Sequence, residues 1–280
     1  MAQPTSPLQQ WSESAKYWTK HSETIRKMFS PLTDALIEDG SIVAGQSVLD
    51  VAAGAGEPSL TIAERIGVTG SVMCTDAIAE MVEKARANAG ARGLSNIEFR
   101  QCPADDLPFA DNSFNAAVSR LGAMFFPDPL AAFREMLRVT KPRGVLALVV
   151  WGKSETNPFC YLITDIMSRH VESPPVDPDA PGAFRFAEPG KLASILSAAG
   201  AVEVRERILK FSIAAPISPE EFWHLRSGTS ETLRTKLEKL SDAERTQISK
   251  EVLESVTEFF PNNHMSFPAE MLIVTGRKAA

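Results

Sequence analysis

The stretch Ser47-Val48-Leu49-Asp50-Val51-Ala52-Ala53-Gly54-Ala55-Gly56 reads as a short buried strand running into a glycine-containing turn. Pro58 stands where a helix can begin, and Leu60, Ile62, Ala63 and Ile66 follow at helical spacing. The same alternation continues down the chain. Ser71 to Asp76 is a second apolar run, leading into a helix that carries Ile78, Met81, Val82 and Ala85. Asn96 to Gln101 alternates Ile97 and Phe99 with polar neighbours. Phe114 to Ser119 precedes a helix with Leu130, Phe133, Met136 and Leu137 on one face. The turn Lys141-Pro142-Arg143-Gly144 stops that helix, and Val145 to Trp151 is apolar throughout, as a central strand of a parallel sheet should be. Strand and helix in alternation predict an α/β fold, a mostly parallel sheet with helices on both faces.

The flanks read as additions to that core. Residues 8–40 predict one or two amphipathic helices, with Trp11, Ala15 and Trp18, then Ile25, Phe29, Leu32 and Leu36. Residues 153–186 are proline-rich and predict an irregular excursion. A helix over about 188–199 and a strand over 202–213 return to the sheet. Ser218-Pro219-Glu220-Glu221 and Ser241-Asp242-Ala243-Glu244 each carry an N-cap and a capping-box acid. Glu270 to Gly276 closes the chain with a strand. The expected organisation is a helical lid over 1–45 and a main domain over 46–280. Insertions at about 153–186 and 215–262 form a cap.

Bulk properties limit the function class. The 280 residues carry 29 basic and 35 acidic side chains, a net charge of −6, which argues against a non-specific nucleic-acid binder. With 44 % hydrophobic and 23 % charged residues the chain has an ordinary globular composition. Cys74, Cys102 and Cys160 are too widely spaced for a disulfide framework or a metal pair. The first residues lack the charged and apolar regions of a secretory signal. The apolar run Val145–Trp151 is far short of the roughly 20 residues of a membrane helix. These readings predict a cytoplasmic protein without membrane insertion, a monomer or homodimer.

In an open parallel sheet, ligands bind beyond the carboxyl ends of the strands. There Gly54 and Gly56 allow a ligand close to the backbone, and the next helix N-terminus is expected to offer free N–H groups. Asp76, twenty residues past Gly56, ends the second strand, where a carboxylate can accept both hydrogen bonds of a ribose diol. The third glycine of a dinucleotide fingerprint is replaced by Ser59, and Glu57 would repel a pyrophosphate. No phosphate loop with Gly-Lys-Ser/Thr is present. An adenosine ligand with a zwitterionic, phosphate-free end fits this pattern better than a dinucleotide.

Val48 to Gly56 resembles the first motif of class I S-adenosylmethionine-dependent methyltransferases. Cys102-Pro103-Ala104-Asp105-Asp106-Leu107-Pro108-Phe109 is similar to that family's adenine-side segment. Asp111 to Asn115 and Leu137 to Gly144 resemble the lead-ins to strands four and five. The match runs in order through residues 47–152, and looks nearest to the small-molecule, quinone-methylase-like branch. The resemblance implies a Rossmann-like seven-stranded sheet with an antiparallel last strand. It also implies S-adenosylmethionine as cofactor, with S-adenosylhomocysteine as product. It places cofactor contacts at Asp50, Ala52, Gly54, Gly56, Asp76, Ala77, Met81, Ala104, Asp105 and Ser119. Ala52 replaces the usual first glycine and Pro103 a frequent acid, so the adenine contact falls to Asp105 or to the backbone of Ala104.

Methyl transfer from a sulfonium is an in-line displacement, so orientation and exclusion of water are the expected protein contributions, with proton removal where the acceptor needs it. Candidate acceptor contacts are Tyr17, Trp18, Met124, Trp151 and Trp223. The candidate base or charged partner is His21, His224 or Arg120, with His170 and His264 less favoured. No metal-ligand cluster is seen. A small-molecule methyltransferase is the leading expectation. A non-methylating S-adenosylmethionine binder such as a cyclase, and a nicotinamide-dependent oxidoreductase, are the alternatives.

Overall fold

The structure, a computed structural model, describes residues 21–171 and 177–280. Trp11, Tyr17 and Trp18, and the prolines at 174 and 175, lie outside the described residues. Seven strands form one sheet: β1 (Ser47–Val51), β2 (Ser71–Asp76), β3 (Ile97–Gln101), β4 (Phe114–Arg120), β5 (Thr140–Trp151), β6 (Val202–Ala215) and β7 (Met265–Arg277). Their order is β3-β2-β1-β4-β5-β7-β6. The first five run parallel, with Asp50 of β1 level with Cys74 on one side and Val118 on the other. β7 pairs antiparallel to β5, Trp151 opposite Met271. This is the α/β architecture expected from the alternation. Val48 and Leu49 of β1, Ala117 and Val118 of β4 and Leu146 to Val150 of β5 are sealed from solvent, so the sheet centre is the core.

The described α-helices are α1 (Ser22–Met28), α2 (Ser30–Asp39), α3 (Ser59–Ile66), α4 (Ala79–Ala91), α5 (Pro129–Val139), α6 (Pro158–His170), α7 (Lys191–Ala198), α8 (Pro219–Thr229), α9 (Glu231–Glu238) and α10 (Asp242–Ser255). Both capping boxes form: Ser218 with Glu221 at the start of α8, and Ser241 with Glu244 at the start of α10.

Three local expectations need correction. The 153–186 segment is not simply irregular, because α6 occupies thirteen of its residues. Pro158 there is the first helical residue, a position with no hydrogen bond to lose, so it starts the helix and does not break it. Helix α9, between the two capping boxes, was not foreseen. The fifth strand begins at Thr140, five residues early. Thr140 pairs with Phe114, and the register then shifts so that Ala116 meets Val145. The shift accommodates Lys141 to Gly144, with Arg143 at φ +63.

The chain divides into two compact units. One holds Ser30–Gly152, Pro178–Leu209 and Met271–Ala280, and contains helix α2 with the parallel strands. The other holds Lys153–Asp177 and Lys210–Glu270 together with the residues up to Phe29. In this second unit Phe159, Phe222, Phe260 and Phe267 form an aromatic cluster with centroid separations of 4.9–5.8 Å. Asn157, with no exposed surface, pins α6 to the chain at Glu270 by donating to its carbonyl at 3.0 Å and accepting from its N–H at 3.0 Å.

Candidate functional site

The parallel sheet brings the carboxyl ends of β2, β1 and β4 side by side, and with them Asp76, Asp50 and Ser119. The loop after β1 is held tightly. Ala53 N–H donates to the Thr75 carbonyl at 2.9 Å, and Gly56 N–H closes a turn on Ala53 at 3.0 Å. Ala52, Gly54 and Gly56 all have positive φ, +60, +56 and +111. Only Ala52 is not glycine, and it bears the strain of the left-handed region, about 1–2 kcal/mol. A Cβ built on Gly54 meets nothing within 4 Å, so open space lies over the loop there. A Cβ on Gly56 would press on Leu60 and Ala85 at 3.0–3.2 Å.

Asp76 shapes this loop. Its Oδ2 accepts from Gly54 N–H and its Oδ1 from Ile78 N–H, each at 2.9 Å. Burial pushes its carboxyl up, while these N–H groups and that of Ala77 pull it down. With three N–H groups on it, the carboxylate keeps about one of its four lone-pair sites for a ligand.

Asp50 has no exposed surface. Its Oδ2 accepts from Ser59 N–H at 2.9 Å and from Ser59 Oγ–H at 2.6 Å, capping the first turn of α3. The expectation of free N–H groups at this helix start is therefore corrected: the Ser59 donor belongs to Asp50. Asp50 Oδ1 is buried without a partner, and so is Ser119 Oγ. Burial raises the Asp50 carboxyl to about 7, against the opposing pull of Ser59 and of the Arg120 charge. Glu57 is occupied too, accepting from Arg92 at 2.7 Å and from Thr61 Oγ–H at 2.8 Å.

The remaining predicted residues fall in different places. Arg120 ends β4 and donates to Thr33 Oγ at 2.8 Å; burial lowers its pKa, and the Glu57 and Asp50 charges raise it. Met81 is buried in α4, and Ala77 accepts from the Gln101 side chain at 3.1 Å. Asp105 is exposed and Ala104 half-buried, in the loop after β3. Met124 is 1 % exposed, a core residue whose carbonyl accepts from Gly182 N–H. Trp151 is also buried, 6.5 Å from the Phe184 ring. His21, Trp223 and His224 belong to the other unit. Tyr17 and Trp18 lie outside the described residues.

Sequence reasoning missed three features. His170 pairs with Glu251 at 2.9 Å, a contact across 81 residues that no local spacing signals. Gly122 packs so closely that a Cβ there would lie 2.6 Å from Ala52 Cβ and 2.8 Å from Ser119 Oγ. The preceding Leu121, at φ +60, makes that approach possible. Arg138 ties the loop after β3 to α5 by donating to the carbonyls of Leu107 and Phe109 and to Glu135 and Asp111, at 2.7–2.8 Å. Among the described residues no group of three or more His, Cys, Asp or Glu is placed to hold a metal. No described helix is long and apolar enough to cross a membrane.

These donors and acceptors discriminate between ligands. A pyrophosphate needs free N–H groups, and those of Gly54 and Ser59 are already bonded to carboxylates. The strand ends instead offer the Asp76 carboxylate as an acceptor, beside two buried polar atoms without a partner, Asp50 Oδ1 and Ser119 Oγ. S-adenosylmethionine presents the matching donors, a ribose diol and an ammonium group, so the residues present fit it. Leaving a buried polar atom unpaired costs about 1–3 kcal/mol, which a donor-bearing ligand offsets.

The comparisons agree with this chemistry. Residues 49–148 match the family described as Methyltransferase domain. The chain is 38 % identical over 125 residues to an uncharacterized protein of Mycobacterium tuberculosis, covering 45 % of this chain and 44 % of that one. It is 36 % identical over 133 residues to the ubiquinone/menaquinone biosynthesis C-methyltransferase of Hahella chejuensis, covering 47 % and 53 %. The chain thus spans about half the length of the curated relatives it matches. The crystal structure of a putative methyltransferase from Bacillus halodurans superposes with a TM-score of 0.57 at 22 % identity, over 89 % of this chain and 99 % of that one, which establishes a shared fold. Residues 49–148 are a class I S-adenosylmethionine-dependent methyltransferase domain, similar in sequence to the quinone C-methyltransferases.

Proposed function

We propose that the whole chain is a methyltransferase that moves the methyl group of S-adenosylmethionine to a small-molecule acceptor. The observation that carries this reading is the donor-seeking edge of the sheet. Asp76 keeps acceptor capacity beyond its N–H contacts, Asp50 Oδ1 and Ser119 Oγ are unpaired, and space is open above Gly54. When bound, the cofactor supplies an electrophilic methyl group on a sulfonium. Asp76 holds the ribose hydroxyls, while the Ala52–Gly56 loop keeps the backbone low beneath the ligand. Asp50 and Ser119 face its amino-acid end, and the loop carrying Ala104 and Asp105 covers the adenine. Orienting the acceptor and excluding water are the protein's contributions to this reaction; of the lid expected over 1–45, residues 1–20 lie outside the described residues and Ser30–Asp39 belongs to the sheet unit. A net charge of −6 favours a small molecule over a nucleic acid as acceptor.

Orientation and desolvation carry the rate in this account. The candidate bases His21 and His224 lie in the second unit, and Arg120 is bonded to Thr33. The test incubates the full chain with methyl-labelled S-adenosylmethionine and a panel of small-molecule acceptors. S-adenosylhomocysteine formed in step with a labelled product supports the reading. Cofactor bound without any transfer points to a non-methylating enzyme. Thermal stabilisation by NADH and not by S-adenosylmethionine points to an oxidoreductase.

A further inference from the structure

Arg226 lies on α8 and is half-buried, with its guanidinium carbon 4.7 Å from the centroid of the Phe159 ring. Phe159 is itself wedged against Phe222 and Phe267. Arg226 Nε is shut off from solvent and has no hydrogen-bond partner, while the two terminal nitrogens stay open to solvent. No carboxylate or carbonyl of the described residues accepts from any of the three. Every other half-buried arginine among the described residues donates to an oxygen. Arg26, Arg92 and Arg138 reach carboxylates, Arg120 a hydroxyl, and Arg185, Arg234 and Arg277 main-chain carbonyls.

A buried Nε–H without an acceptor is costly, and no other half-buried arginine among the described residues bears that cost. The contact with Phe159 holds the guanidinium in place, and its terminal N–H groups form a fork suited to the two oxygens of a carboxylate or phosphate. We propose that Arg226 is an anion-binding residue that takes the carboxylate or phosphate of a small molecule.

The experiment uses the full chain with saturating S-adenosylhomocysteine. Benzoate, phenyl phosphate, inorganic phosphate and the neutral control benzamide are titrated while arginine Nε–Hε resonances are followed. Arg226→Met keeps an apolar contact with Phe159, and its spectrum identifies the Arg226 resonance by its loss. Arg226→Lys keeps the charge without the fork. The expected result is a saturable shift of the Arg226 signal by benzoate or phenyl phosphate and none by benzamide. Affinity should fall about 10-fold to 100-fold in Arg226→Met and recover in part in Arg226→Lys. The tighter of the two aromatic anions names the carboxylate or the phosphate, and inorganic phosphate reads the contribution of the aromatic ring. Equal binding to wild type and Arg226→Met, or no shift of that resonance by either anion, overturns the proposal. Should Arg226→Met fail to fold, Arg226→Lys, which lacks the same Nε–Hε, identifies the resonance and the wild-type shift decides. S-adenosylhomocysteine titrated separately keeps the two claims apart. Normal binding with no anion effect defeats Arg226 alone, whereas absent binding defeats the methyltransferase reading and leaves the Arg226 shift to be read by itself.

Discussion

Asp50→Asn isolates a strongly perturbed carboxyl of the sheet edge. In the folded protein its pKa rises from 3.8 to about 7, chiefly because burial disfavours the charge. The folded state therefore holds this proton more tightly than the unfolded chain does. Its contribution to folding is fully present below pH 4 and is withdrawn as the pH climbs through about 7. At about 1.4 kcal/mol per pH unit, the wild type should lose about 3 kcal/mol of stability from this group between pH 5 and 8. The amide introduced by Asp50→Asn cannot titrate and lacks that loss, while the other carboxyls, Asp76 included, contribute equally to both proteins. The assay is guanidinium unfolding of wild type and Asp50→Asn at half-unit pH steps from 5 to 8. The difference in unfolding free energy should change by about 3 kcal/mol across the range, in favour of the variant at high pH. Parallel curves would show that Asp50 is ionised at neutral pH and would refute the buried, proton-holding strand tip.

Three further outcomes are expected. Gly54→Ala and Gly93→Ala both place a Cβ at positive φ with nothing within 4 Å, so each should cost about 1–2 kcal/mol of stability. Gly54→Ala alone should weaken S-adenosylhomocysteine binding, by about 10-fold or more, because its Cβ enters the space kept for the ligand; equal effects in calorimetry would reject that use of the loop. Asn157→Ala strips both main-chain groups of Glu270 of their buried partner and should cost about 2–4 kcal/mol, read by denaturation of the second unit. Arg138→Met unties the 107–111 loop from α5 and should lower cofactor affinity about 3-fold to 10-fold, provided the adenine lies against Ala104 and Asp105; unchanged affinity would move the adenine elsewhere.

The parallel sheet was legible because its signals are local. Apolar runs of five to seven residues, a proline at a helix start and capping-box acids each act over one or two turns. The position of Asp76 was legible for the same reason, since a strand tip is marked by where the apolar run stops. The Ser59 hydroxyl and N–H on Asp50, the His170–Glu251 pair and the Arg138 clasp were not, because each partner is chosen by tertiary packing. The Asp50–Ser59 pair is the instructive case: a polar residue where a dinucleotide site has its third glycine signals that the helix start is already occupied. Helix α6 was misread by taking the proline content of 153–186 as a sign of irregular chain, when the Phe159 to Met167 pattern was helical. Arg226 had no sequence signal, since an arginine without an acceptor is visible only once its surroundings are known.

The central claim is that the carboxyl edge of β2, β1 and β4 takes a ligand rich in donors and free of phosphate. Calorimetric titration of S-adenosylhomocysteine and NADH into wild type and Asp76→Ala tests it most directly. The account predicts that S-adenosylhomocysteine binds wild type, that affinity falls about 10-fold to 100-fold in a folded Asp76→Ala, and that NADH binds neither. NADH binding, or S-adenosylhomocysteine binding that ignores the loss of Asp76, would contradict it.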